Sequence, residues 1–131
     1  MTVSTFTIPI LPTNPDGSSH PMLPDLVEAL QPVARARSTR KLIRACQAAG
    51  VRSHLILPMI SDCPVDPATL GRTMRRALKV AAEAAAVGEI VVLEIHARKD
   101  AGVVEISAGP AAEVRPDLAP THWDALPWKD A

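Results

Sequence analysis

Aromatic side chains are nearly missing from this sequence: Phe6, Trp123 and Trp128 are the whole set, and tyrosine does not occur. A core made from such a chain has to be aliphatic and alanine-rich. The stretch that holds most of the cations contains no aromatic, which argues against a platform that stacks the bases of a single strand. Cysteine is scarce too. Cys46 and Cys63 stand alone, and with no secretory segment they read as reduced thiols of a cytoplasmic protein. The N-terminus lacks the basic stretch and apolar run of a signal peptide. Neither cysteine falls at a spacing such as C-x-x-C, and no two histidines form H-x-x-x-H, so no metal site or cofactor is expected. No apolar run reaches the ~18 residues of a membrane span, because Lys79, Glu83, Glu89 and Glu94 interrupt the longest candidate. Net charge is also absent, since 14 Lys/Arg balance 14 Asp/Glu.

What is present is an apolar fraction of 47% in 131 residues, enough for one domain with its own core. Residues 1–108 carry the periodic segments and are expected to form that domain, with 13–21 (TNPDGSSHP) as a loop. From Gly109 the chain turns to Pro, Ala and isolated charges, which reads as a C-terminal tail over 109–131.

The clearest element runs from Asp66 to Gly88. Asp66 suits an N-cap and Pro67 the first helical position, while Gly88 supplies a stop. Leu70, Met74, Ala77, Leu78, Ala81 and Ala85 recur at helical spacing as one apolar stripe, and Arg72, Arg75, Arg76, Lys79 and Glu83 fall opposite it. A second helix is expected over 39–49, capped by Ser38 and stopped by Gly50, with Leu42, Ile43, Cys46 and Ala49 inward. A shorter one is expected over 24–31, burying Leu26, Val27 and Leu30 and broken or kinked by Pro32.

Strands are expected over 2–11, 51–60, 89–97 and 103–107. Pro9 and Pro12 place the first at a sheet edge or end it early. The second and third flank the long helix, which predicts a β-α-β crossover with parallel strands. The last two form a hairpin with Gly102 in its turn. Of two registers, the one that sets Ile95 against Ile106 and His96 against Glu105 keeps the faces unmixed. Ile90 and Val92 predict burial on both faces at the start of the third strand.

The charges are segregated. Residues 33–82 hold ten Lys/Arg against Asp62 and Asp66, a net of +8, and the remainder holds four against twelve, a net of −8. A partner meets a local field of this kind rather than the total. Arg35, Arg37, Arg40, Lys41, Arg44 and Arg52 make one cluster, and Arg72, Arg75, Arg76 and Lys79 another. Two readings are open: a merged surface for nucleic-acid phosphates, or solvated helix faces balanced by the acidic hairpin, the tail or another subunit.

The run IRACQAAGVRSHLI faintly suggests a helix-turn-helix, but Pro58 truncates any recognition helix, so a strand is the better reading. Cys63, in SDCPVDP near a helix start, is the one thiol with a case for mild activation. In the tail, Thr121 and Asp124 suit one capped helical turn that presents Trp123 and Leu126. Together with Trp128 these are the candidate anchors for a protein partner or for the chain's own subunit.

The sequence therefore predicts an α+β (or α/β) fold: a small mixed sheet of about four strands, including a C-terminal hairpin, packed by two or three helices. The expected function is that of a small non-enzymatic, nucleic-acid-associated accessory protein, cytoplasmic and without cofactors. It would use a basic helical face and a Trp-containing docking tail. The alternative is a protein-interaction or assembly subunit, or a small inhibitor of a bacterial or viral complex, with no nucleic-acid contact and homo-oligomerisation possible.

Overall fold

The long helix forms where its caps place it. In the computed structural model, which describes residues 3–12, 26–56, 63–87, 90–114 and 124–125, it spans Pro67–Ala86. The Asp66 carboxylate accepts from the Thr69 N–H at 3.2 Å and from the Thr69 hydroxyl at 2.7 Å. The Thr69 hydroxyl bond, joined by that N–H, holds the Asp66 carboxyl below its ordinary 3.8. A depressed carboxyl contributes stability that is present above its ordinary value and is lost as pH falls through the lower folded value. Asp66→Ala should thus melt below wild type at neutral pH, with the gap closing in acid. A deficit that stays constant down the acid series would show that the cap acts through something other than its charge.

The sheet has the order β1-β4-β3-β2-β5. Its strands are β1 (Ser4–Pro9), β2 (Arg52–Ile56), β3 (Val91–Arg98), β4 (Val103–Pro110) and β5 (Asp124–Ala125). The first four make the mixed sheet expected of an α+β fold, and the two-residue β5 adds a fifth strand antiparallel to β2. Parallel β2 and β3 flank the long helix, which completes the β-α-β unit. The hairpin β3–β4 takes the register with Ile95 opposite Ile106 and His96 opposite Glu105. Its connection is a 3-10 turn over Lys99–Ala101 closed by Gly102 at φ 68°. Because an L side chain in that region carries a steric penalty, Gly102→Val should cost about 1–2 kcal/mol in urea unfolding, and Gly102→Asn less. Equal losses from the two variants would remove the backbone explanation.

Among the described residues three helices of eight residues or more form: α1 (Leu26–Arg35), α2 (Arg37–Ala48) and α3, the long helix. Two boundaries differ from expectation. Pro32 does not end α1, which continues to Arg35 because Leu30, Val33 and Ala34 are buried on either side of the proline. Ser38 does not cap α2. Ala36 is the extended joint between the helices (φ −60°, ψ 135°), and its N–H is kept by the Pro32 carbonyl at 3.1 Å. The next helix restarts at once, so Ser38 lies inside it. At the other end of α2, Gly50 at φ 82° allows its N–H to reach the Gln47 carbonyl and the Val51 N–H to reach that of Cys46. These two bonds turn the chain into β2.

The core lies between α3, with its neighbours α1 and α2, and one face of the sheet. Leu70, Met74, Ala77, Leu78 and Ala81 meet Ile8, Leu93, Ile95, Val104, Ile106 and Ala108, all at most 1% exposed. Alanines along α3 let it lie close to the strands, which is how a chain with so few rings fills its interior. The second face is covered at one end by the four-residue helix α4 (Ala111–Val114). A Cβ on Gly109 would lie 3.1 Å from the Val3 Cα and 3.6 Å from a Val114 methyl, so glycine permits that close return. Val92, in register with Gly109, is buried there, and so is Glu94. Ile90 departs from expectation: it precedes β3 instead of joining it and is 78% exposed. Gly109 and Pro110, expected to begin the tail, instead complete β4.

Candidate nucleic-acid interface

Helix α2 (RSTRKLIRACQA) has four cations and no acid. Thr39, Ile43 and Cys46 are its buried residues, and this inward stripe fixes which side the cations take. Arg37, Lys41 and Arg44 are exposed and Arg40 is half-buried. Together they line one shallow depression of about 310 Å³. A second depression, of about 660 Å³, adjoins it and is lined by Arg37, Ser38, Lys41 and Leu42, so Arg37 and Lys41 border both. Arg40 donates to the Arg35 carbonyl at 3.2 Å, which ties the group to the end of α1, where the Arg35 side chain is exposed.

Arrangement on α2 has an energetic signature. Arg37 with Arg40, Arg37 with Lys41, Arg40 with Arg44, and Lys41 with Arg44 are like-charge neighbours three or four residues apart. Each such pair destabilises a helix by roughly 0.2–0.5 kcal/mol. Local choices that weaken their own element gather at functional sites, and a bound polyanion would relieve these four.

The cations of α3 are disposed differently. Arg72 donates to the Thr69 hydroxyl at 3.4 Å. Arg75 was expected to point outward but is half-buried. Its guanidinium folds back over Gly71, where a Cβ would stand 3.4 Å from its Nη1 and 3.9 Å from a Val33 methyl of α1. Arg76 turns to the other flank and lies 5.0 Å from the centroid of the Phe6 ring. Lys79 is exposed. Neither depression beside α2 is lined by an α3 cation. The sequence thus named both groups, but could not show that α3 commits Arg75 and Arg76 to its own fold. Gly71 and Phe6 were the signals, being a glycine one turn before Arg75 and the lone aromatic of the edge strand. Arg52, the remaining member of the first cluster, is exposed in β2 opposite Ala125.

Other reactive groups take structural places. Cys46 is fully buried and donates its S–H to the Leu78 carbonyl at 3.3 Å, and burial pushes its thiol up to about 11. Cys63, for which mild activation was considered, is 1% exposed within the core. Glu105 opposes His96 as expected, but its ion pair is with Arg98 at 3.2 Å. That hairpin carboxylate is therefore not a counter-charge for the basic helices. Among the described residues no group of three His, Cys, Asp or Glu is arranged to hold a metal, and no helix is long and apolar enough to cross a membrane.

Asp124 and Ala125 extend along β2 instead of forming the helical turn expected from Thr121 and Asp124. Pairing with the outer edge of β2 supplies backbone partners that a lone turn lacks. The proposed anchors Trp123, Leu126 and Trp128 lie outside the described residues. Set against known protein families, curated proteins and solved structures, the chain has no significant match in any of the three comparisons.

Proposed function

We propose that this is a small, non-enzymatic accessory protein that holds a nucleic-acid backbone along α2. The reading rests on one observation: four cations, undiluted by any acid, surround a single depression on a helix whose other side is fixed in the core. Arg37, Arg40, Lys41 and Arg44 are the contacts, with Arg35 beside them. Arg72 and Lys79 widen the field, and Arg75 and Arg76 serve α3 and β1 first. Phosphates supply affinity here without sequence discrimination. Duplex is favoured over single strand because α2 offers no ring for base stacking.

The tail keeps its role as a protein contact, through Trp123, Leu126 and Trp128, from a point where Asp124–Ala125 fastens it to the chain's own sheet. An assembly subunit without nucleic-acid contact is the competing account. Fluorescence anisotropy with labelled duplex DNA, single-stranded DNA and RNA at two salt concentrations separates the two. Four phosphate contacts give a slope of log affinity against log salt near −3.6, at about −0.9 per phosphate on duplex. No binding to any of the three at about 50 mM salt, where screening is weak, retires the nucleic-acid reading.

A further inference from the structure

We infer that the outer edge of β1 is a self-association surface, on which a second copy of the chain lays its own β1 antiparallel to the first. Among the described residues β1 ends the sheet and pairs only with β4. The Ile10 N–H donates to the Gly102 carbonyl at 2.9 Å, extending the β1–β4 register by one residue. In an antiparallel ladder the residue that makes such a bond turns both its N–H and C=O to the partner, and its neighbours turn theirs away. Ser4, Phe6 and Ile8 therefore face β4, while Thr5, Thr7 and Pro9 face outward. The next odd residue obeys the same parity, as the Leu11 N–H reaches the Pro64 carbonyl at 2.9 Å on the outer side. Pro9 occupies an outward position, where its missing N–H removes no ladder bond. The N–H and C=O groups of Thr5 and Thr7, and the carbonyl of Pro9, are left without a backbone partner among the described residues.

Sheet edges are usually blunted by charge, bulges or a covering segment. The opposite edge has one, since β5 pairs with β2. β1 has only Pro9. No charged residue occurs between Val3 and Pro12, and Thr5 and Thr7 are exposed. Any extended peptide would satisfy the backbone groups, but the side chains favour a second copy. Pairing Thr5 with Thr7 of the second copy lets the same two residues exchange bonds in both directions, as a two-fold interface requires. That register brings Phe6 against its own counterpart at the dyad, in a closely spaced pair where side chains touch. Phe6 is the one aromatic among the described residues, half-buried beside this edge. The dyad of an antiparallel strand pair is perpendicular to the sheet, so the helices of both copies would lie on the same side of one continuous sheet.

Sedimentation velocity on the full chain tests this without reference to nucleic acid, so it stands or falls apart from the preceding proposal. Wild type should sediment as a dimer. Thr5→Lys with Thr7→Lys places like charges directly opposite across the dyad and should weaken dimerisation by at least about tenfold, with an unchanged circular dichroism spectrum. Thr5→Glu with Thr7→Lys makes those same cross-strand pairs attractive, and sets the new lysine beside Glu105 of its own chain, in register with residue 7. This second variant should remain dimeric. A monomeric wild type, or a dimer indifferent to both variants, overturns the inference.

Discussion

Leu78→Ala should lower the free energy of unfolding by about 2–5 kcal/mol, a large part of the ~5–15 kcal/mol that holds a domain of this kind together. Leu78 has no exposed surface. It sits on α3, which packs against both other long helices and three strands of the sheet, so the surroundings have little freedom to collapse into the space it leaves. Its carbonyl also accepts the Cys46 thiol, and a shift of α3 to fill the cavity would strain that contact. Urea unfolding followed by circular dichroism measures the loss, with the slope unchanged if the denatured ensemble is unaffected. A loss below about 1 kcal/mol, the range of surface substitutions, would mean that α3 is not the centre of the core.

Reversing one charge on α2 should separate function from stability in opposite directions. Lys41→Glu converts the repulsive pairs with Arg37 and Arg44 into attractive ones, which should stabilise the fold by roughly 1 kcal/mol. The same change removes a cation that borders both depressions, and with it one of the four phosphate contacts proposed above. One contact carries about tenfold in affinity at ~50 mM salt, at about 0.9 counterion per phosphate, and the new carboxylate adds repulsion. Anisotropy and a melting curve on the same preparation read both effects. Duplex affinity should fall at least about tenfold while the melting temperature rises. Arg75→Ala with Arg76→Ala should do the reverse, lowering the melting temperature through lost contacts with Gly71 and Phe6 while leaving most of the affinity. If Lys41→Glu binds like wild type and the Arg75/Arg76 variant does not, the interface belongs on α3.

Much of the architecture was legible because it rests on local rules. The Asp66–Pro67 cap, the apolar stripe from Leu70 to Ala81, the turn at Gly102 and the faces of Ile95 and Ile106 each follow from neighbours close in sequence. Where expectation failed, distant residues decided. Pro32 stays inside α1 because Val33 and Ala34 are held by the core, and Arg75 is drawn inward by a glycine next to α1. The Asp124–Ala125 strand had no sequence signal of its own, since two residues carry no period and their partner lies some seventy positions earlier. The placement of the basic side chains divides in the same way. Spacing fixes the side of a helix that a cation takes, but which cations are spent on internal contacts depends on what the neighbouring elements bring.

The pairing of β1 with β4 has a consequence for how the chain is made. Thr5 meets Ser107, and the two hydroxyls are 3.3 Å apart although 102 residues separate them. At roughly 5–20 residues per second, synthesis leaves the first strand waiting about 5–20 s for its partner. Throughout that interval β2, α3 and β3 can dock early, whereas STFTIP stays an uncharged, β-prone segment outside any sheet. Contacts of such range also slow refolding of the finished chain. Crowded nascent chains are therefore most vulnerable to mispairing along β1. A lysine introduced there would be expected to improve yield on expression before it changed anything measurable in the folded protein.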